Sequence, residues 1–324
     1  MPETILDLLN GTEAFVSGQE ISSRLGITRA AVWKKIIGLR KKGFIIEAVP
    51  SKGYPLKSAP DLGQDYLSSR VRGDLWKELI VYDTVESTND LAMSLATRGG
   101  IGHGTVLIAD RQSRGKGRLG RKWETPAGMS IAMSLVLRPE IEPRDATILT
   151  LLAAVSSASA VQKTCDLPVT IKWPNDLVIS GRKLGGILTE VRADPDRLTL
   201  AVIGIGINVN EKYGDFPADI QEIATSVRQI CGKTHSRNDI VIQLLREFEN
   251  WYGILLKKGK TPLLDAWRRS SSTLGKKIRA VMGSGSISGI AHDIDDNGML
   301  IIRMSSGELR KISSGDITHI RSNE

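Results

Sequence analysis

The chain has 324 residues, enough for two or three domains and a sizeable buried core. Hydrophobic residues make up 41% and charged residues 25%, which excludes a disordered chain, and the formal net charge of +8 suggests an anionic partner without naming it. Two cysteines, Cys165 and Cys231, make neither a disulfide framework nor a CxxC zinc or redox centre, so the cytoplasm is the expected compartment. The acidic opening Met1-Pro2-Glu3-Thr4 lacks the basic and apolar regions of a signal peptide. The longest apolar stretch, Ala146 to Val161, is broken by Thr and Ser and is too short for a membrane span, so no membrane association is expected.

Residues 1–60 predict a winged helix-turn-helix. Ile5, Leu6, Leu8 and Leu9 give one apolar face, and Ile21 and Leu25 sit four apart in a second helix from about Gln19. Gly26 breaks that helix, and Thr28 can cap a third, over 28–40, with apolar Val32, Ile36 and Leu39. Phe44-Ile45-Ile46 and Gly53-Tyr54-Pro55-Leu56, joined around Pro50-Ser51-Lys52, predict the wing. This segment holds nine Lys or Arg against five Asp or Glu, half of the chain's surplus. Arg29, Trp33, Lys34 and Lys35, on or near the exposed start of the third helix, join Thr28 as candidate DNA contacts.

Residues 61–270 predict one α/β domain. Apolar runs at 79–82, 105–109, 129–137, 169–173, 184–192 and 198–207 alternate with helical patterns at about 88–97, 144–163 and 238–257. Hairpin signals at Ser180-Gly181 and Asp194-Pro195-Asp196 make the sheet mixed rather than a regular βαβ repeat. Residues 271–324 predict short strands at about 277–282, 286–293, 299–304 and 308–312, fitting a small β-barrel.

Three motifs mislead. Asp293-Ile294-Asp295-Asp296-Asn297-Gly298 opens like a calcium loop, but position 304, where the bidentate Glu belongs, is Met, so a hairpin turn is the simpler reading. Gly204-Ile205-Gly206 follows a strand, but Val209 stands where a dinucleotide fingerprint needs its third glycine; the glycines suggest close backbone approach by a ligand or a strand. Gly115–Lys122 has P-loop glycine spacing, but Arg121-Lys122 replaces Lys-Ser/Thr. That loop still places Arg111, Arg114, Lys116, Arg118, Arg121 and Lys122 within twelve residues among glycines, a composition suited to cradling phosphates. Ser87-Thr88-Asn89 alone reads as a helix cap, and the four histidines have no metal spacing.

In order, Ser87-Thr88-Asn89, Gln112 with Gly115–Trp123, Lys172-Trp173-Pro174-Asn175-Asp176, Lys183-Leu184-Gly185-Gly186 and Gly204-Ile205-Gly206-Ile207-Asn208 resemble the bifunctional biotin protein ligases that also repress the biotin operon. The resemblance spans essentially the whole chain. It implies an α+β mixed-sheet catalytic domain (61–270) of the class II aminoacyl-tRNA-synthetase type, a winged helix-turn-helix (1–60) and a C-terminal SH3-like barrel (271–324). It further implies that biotin and MgATP give biotinoyl-5′-AMP, that biotin passes to a lysine of biotin carboxyl carrier protein, and that the adenylate-bound homodimer binds operator DNA. By the same resemblance, Lys183, Arg118 and Asp176 are catalytic. Ser87, Thr88, Asn89, Gln112, Gly115, Lys116, Gly117, Arg118, Lys183, Gly185, Gly186, Gly204 and Gly206 face biotin. Arg118, Arg121, Trp123, Asn175, Lys183 and Asn208 hold ATP or the adenylate, and segment 211–226 falls where the family has a loop over adenine. No resident metal ligands are expected; Mg²⁺ comes with ATP. One departure is Lys116, where the family usually has Arg, which keeps the charge and loses the bidentate fork. Three rivals stay open: a biotin-sensing regulator without ligase activity, a lipoate ligase, and a ligase with a vestigial winged helix.

Overall fold

The chain divides by its internal contacts into two units, Met1–Asp74 and Leu75–Glu324. The computed structural model describes residues 3–10, 15–282, 285–313 and 315–319. Met1 and Pro2 of the acidic opening, and residues 320–324 of the third predicted segment, lie outside these described residues.

Three helices open the first unit: α1 (Ile5–Asn10), α2 (Gly18–Leu25) and α3 (Arg29–Lys41). Ser17 caps α2 by accepting the Glu20 N–H at 3.0 Å, and Gly26 ends it at φ +63°, a conformation that disfavours a side chain. Thr28 caps α3 by accepting the Ala31 N–H at 3.2 Å. Strands β1 (Ile45–Ile46) and β2 (Leu56–Ser58) pair antiparallel as the wing, with Val49 bridged to Gly53 around its tip. Leu6, Leu9, Ile21, Val32, Ile36 and Phe44 form the core. The sequence reading did not include α4 (Gln64–Arg70), which buries Leu67 in this unit; Asn10 Nδ2 donates to Ser69 Oγ at 2.9 Å, and Lys42 pairs with Asp65 at 2.5 Å.

The second unit is built on β3 (Glu78–Val85), β4 (Thr105–Gln112), β5 (Ile131–Leu137), β6 (Thr170–Lys172), β7 (Asp176–Ile179), β8 (Arg182–Ala193) and β9 (Leu198–Ile207). These run in the order β3-β4-β5-β9-β8-β7-β6, parallel only between β3 and β4, which is the mixed sheet expected. Ser180 and Gly181, at φ +50° and +79°, make the tight β7–β8 turn. Helix α5 (Thr88–Thr97) covers one face, over Leu107, Val136, Leu200 and Val202. The alternate β9 residues Ala201, Ile203, Ile205 and Ile207 are buried on the other face, where α6 (Ala146–Cys165) lies against β8 and β9. Short α7 (Val227–Cys231) follows the 211–226 segment, and α8 (Arg237–Lys258) and α9 (Thr261–Ser270) pack on α6.

Among the described residues one helix, Pro143–Cys165, is long and apolar enough to cross a membrane by length and composition, but most of it is buried inside the protein, as expected of a core helix.

The C-terminal strands β10 (Lys277–Met282), β11 (Gly285–Ile294), β12 (Leu300–Arg303), β13 (Leu309–Ile312) and β14 (Asp316–His319) form an antiparallel sheet in the order β13-β12-β11-β10-β14. Strand β14 is additional to the four predicted. Asp293–Gly298 is the β11–β12 turn, in which Asp295 Oδ1 accepts the Asn297 and Met299 N–H groups at 3.0 Å, so the hairpin reading of that motif holds. This sheet is tied to the larger one: Trp173 N–H donates to Thr273 Oγ1 at 2.9 Å, and its Nε1 donates to the Gly298 carbonyl at 3.0 Å.

Candidate functional site

The α5-covered face of the sheet changes character along β9. Leu200 and Val202 fill the core, but Gly204 and Gly206 continue the same alternation without side chains. A Cβ built on Gly204 would lie 2.4 Å from Asn89 Oδ1, and one on Gly206 would lie 2.5 Å from the Trp123 ring. The close approach expected at these glycines is therefore made by two of the protein's own side chains. Gly185 is needed for a different reason, since its Cβ would meet the Gly206 carbonyl at 2.6 Å.

Ser87, Thr88 and Asn89 sit at the buried start of α5. Ser87 is the cap, accepting the Asp90 N–H at 3.3 Å. Thr88 donates to Gln112 Oε1 through N–H at 2.8 Å and Oγ1 at 3.1 Å, and Gln112 Nε2 donates to Thr125 Oγ1 at 3.1 Å. Asn89 accepts from Ser134 Oγ at 2.7 Å and donates to the Leu188 carbonyl at 3.1 Å and Glu190 at 2.8 Å. Protein groups thus fix Asn89 in place.

The basic loop is a tight hairpin. Trp123 N–H donates to the Gly115 carbonyl at 2.9 Å, and Gly117 N–H to the Arg121 carbonyl at 2.7 Å. A Cβ on Gly115 would strike the Trp123 carbonyl at 2.3 Å. Leu119, 75% exposed at φ +57°, is the tip and anchors nothing. Lys116 pairs with Asp90 at 2.7 Å, and the Asp90 hydrogen bond holds its ammonium above the usual lysine range. Arg118 Nη1 donates to Asn175 Oδ1 at 3.1 Å, and burial lowers its guanidinium below the ordinary arginine value. Arg121 pairs with Asp316 at the start of β14.

Lys183 Nζ sits 2.7 Å from Asp176 Oδ1 and 5.8 Å from the Trp123 ring centroid. Its stem passes over Gly186, whose Cβ would be 3.4 Å from Lys183 Cε. Asn175 is held by its Nδ2 on the Ile187 carbonyl at 2.8 Å. The 211–226 segment returns to the same place: Lys183 N–H donates to the Ile223 carbonyl at 2.7 Å, and Thr225 N–H to the Lys183 carbonyl at 2.8 Å. Asn208 Nδ2 donates to the Thr225 carbonyl at 3.0 Å, so it fastens the end of that segment. Trp123 Nε1 is buried without a partner, a donor left over in the middle of this group.

The structure therefore brings the expected site residues of the second unit to one sheet face and its bordering loops, with one exception: Gly185 pairs in register with Ile207 and lies on the opposite face, packed against Leu177, so it does not face the pocket. Asp90, Thr125, Ser134, Glu190 and Asp316 were not anticipated. Ser134 pairs in register with Gly204 across β5 and β9, and Glu190 follows Gly186 and Leu188 in strand alternation, so correct strand pairing would have found both. Asp316 comes from the other sheet and leaves no local signal. In the first unit, Thr28, Arg29, Trp33, Lys34 and Lys35 all lie at or near the start of α3 and are exposed, Trp33 to 59%.

Comparison with known proteins agrees with this architecture. Residues 81–208 match the Biotin/lipoate A/B protein ligase family, 3–55 an HTH domain and 273–319 the Biotin protein ligase C terminal domain. The chain is 39% identical to the bifunctional ligase/repressor BirA of Bacillus subtilis, over 94% of this chain and 93% of that one. It is 31% identical to BirA of Escherichia coli, over 98% and 97%. Among solved structures, the biotin protein ligase from Aquifex aeolicus in complex with biotin and ATP superposes with a TM-score of 0.66 at 30% identity, covering 76% of this chain and all of that one. The chain belongs to the biotin protein ligase family, in the branch whose members join a ligase to an N-terminal helix-turn-helix repressor module.

Proposed function

We propose that this protein activates biotin with ATP to biotinoyl-5′-AMP, transfers biotin to a lysine of biotin carboxyl carrier protein, and, as an adenylate-bound homodimer, represses the biotin operon by binding its operator. The observation that carries the ligase reading is the convergence of Lys183, Asp176, Asn175 and Arg118 beside Trp123 on a glycine-lined sheet face.

In the first step, a biotin carboxylate oxygen attacks the α-phosphorus, an acyl–O–P bond forms, and the bond to the β-phosphate breaks to release pyrophosphate. Two anions must meet, so cations held in place beforehand are the main source of rate. Lys183 and Arg118 supply them. In the second step the carrier lysine amine attacks the acyl carbon and AMP leaves; Asp176 orients the amine and takes its proton. Thr88 and Gln112 hold the biotin head. Asn89, held by Ser134, Leu188 and Glu190, shapes the pocket floor, as Gln112, held by Thr88 and Thr125, shapes its wall. Closure of the 115–122 hairpin and the 211–226 segment keeps water from the mixed anhydride.

Among the described residues, no cluster of three or more His, Cys, Asp or Glu side chains could hold a metal ion. Mg²⁺ would enter on the phosphates of ATP and screen their charge. The free thiols Cys165 and Cys231 suit a reducing cytoplasm. Exposed Arg29, Trp33, Lys34 and Lys35 would meet DNA in the major groove, with the wing on the backbone.

The test is pyrophosphate release that requires both biotin and ATP, followed by transfer of label to a carrier protein. Lipoic acid offered in place of biotin separates the two acids of the matched ligase family, and release with lipoic acid alone would overturn the reading. Operator binding that strengthens with biotin plus ATP tests the repressor half.

A further inference from the structure

Four residues form a straight row across the sheet on its site face. Lys172 on β6 is in register with Asp176 on β7, Asp176 with Gly186 on β8, and Gly186 with Gly206 on β9. Residues directly opposite across strands share a face, so the row runs from the Trp123-covered end of the pocket to the β6 edge. Lys183 reaches Asp176 from the Gly186 side, and Lys172 stands on the other side of that carboxylate. Lys172 is only partly exposed, and no described residue lies within hydrogen-bond or ion-pair distance of its ammonium, whereas Lys183, Arg118 and Arg121 each have a partner. Burial lowers its ammonium below the ordinary lysine value; the attraction of Asp176 and Asp316 opposes this, and the nearby Lys183 adds to it. Lys172, Lys183, Arg118 and Arg121 surround two carboxylates, Asp176 and Asp316, which leaves two positive charges for an anionic ligand.

We infer that Lys172 is the contact for the pyrophosphate leaving group of the adenylation step. This rests on the ligase reading above. In an in-line displacement, the leaving oxygen departs on the side of phosphorus opposite the attacking one. The biotin pocket lies over β9 and β8, so the attack comes from that side and pyrophosphate leaves over β7 and β6. Lys172 is two strand spacings from Gly186, roughly 10 Å. A lysine that finds no carboxylate of its own can neutralise the charge that builds on the departing phosphates. The second step produces no pyrophosphate and does not need it.

The experiment uses full-length wild type, Lys172→Met and Lys172→Arg. Single-turnover adenylation should slow by about 10²-fold in Lys172→Met, the scale of one lost charge-stabilising donor. The reverse reaction, ATP formed from preformed biotinoyl-5′-AMP and added pyrophosphate, should need about 10- to 100-fold more pyrophosphate, the scale of one charge-assisted hydrogen bond. Transfer from preformed biotinoyl-5′-AMP to the carrier should stay within about twofold, and Lys172→Arg should recover part of the pyrophosphate affinity. A structural role alone would not move the pyrophosphate dependence selectively. Unchanged pyrophosphate dependence in Lys172→Met, or loss of the transfer step instead, would overturn the assignment. Wild-type turnover in the same assays separates failure of this assignment from failure of the ligase reading.

Discussion

Gly204→Ala should collapse the floor of the biotin pocket, and the reason can be put in numbers. The new methyl would sit 2.4 Å from Asn89 Oδ1 and 2.9 Å from Asn89 Cγ. Ordinary contact begins near 3.4 Å, so Asn89 must retreat by about 1 Å. It cannot do so freely, because Ser134, Leu188 and Glu190 hold both ends of its amide. Moving it breaks up to three hydrogen bonds, each worth about 1 kcal/mol net, and strands buried polar groups at about 1–3 kcal/mol more. A cost of about 3 kcal/mol for the second unit follows. Truncating Asn89 to Ala first removes the clashing atoms, so adding Gly204→Ala in that background should cost about 1 kcal/mol or less, leaving a coupling of about 2 kcal/mol. Urea unfolding of the four proteins of this double-mutant cycle, followed by tryptophan fluorescence, measures it. Biotin binding should be lost in both Gly204→Ala proteins. Equal cost of Gly204→Ala in the two backgrounds would refute the reasoning, because it would show that Asn89 is not what requires the glycine.

Asp316→Asn should loosen the basic hairpin. A half-exposed pair with Arg121 is worth about 0.2–1 kcal/mol, so biotinoyl-5′-AMP should dissociate up to about fivefold faster with biotin affinity unchanged, as read by stopped-flow fluorescence. Burial raises the carboxyl of Glu211 above the usual range, against hydrogen bonds from Ser130 and backbone and the pull of Arg237. A raised folded value means the native state holds the proton more tightly, so stability should fall as pH rises from about 4.3 through the Glu211 range, and Glu211→Gln should flatten that slope in thermal melts between pH 4 and 7. A chain beginning at Leu75 should keep biotin-dependent pyrophosphate release and lose operator binding, because Leu75 N–H and Trp76 Nε1 already bond Glu249 and Leu245 of the second unit. A chain beginning at residue 62 should be less soluble, since it keeps α4 without the α1 side of its core and exposes Leu67.

What the sequence made legible follows from the range of the signal. The α5 limits, 88–97, are carried locally: Ser87 reads as a cap, and the apolar spacing behind it is helical. The β7–β8 turn is carried by Ser180-Gly181, and the β9 strand by a largely apolar run. Helix α4 escaped because its seven residues, QDYLSSR, present Leu67 and little else apolar; its burial is decided by α1, not by its own period. Strand β14 escaped for a similar reason, since only its pairing with β10 makes Asp316–His319 a strand. The glycines at 204 and 206 were visible as a demand for space, but not what fills it. Asn89 lies 115 positions from Gly204 and Trp123 lies 83 from Gly206, and only the fold reports such distances. The same holds for charge. Sequence shows six cations within twelve residues of the basic loop. It does not show that Asp90, Asn175 and Asp316 already occupy Lys116, Arg118 and Arg121, while Lys172, a strand residue with no cluster around it in sequence, stands beside Asp176 with no ion-pair partner among the described residues.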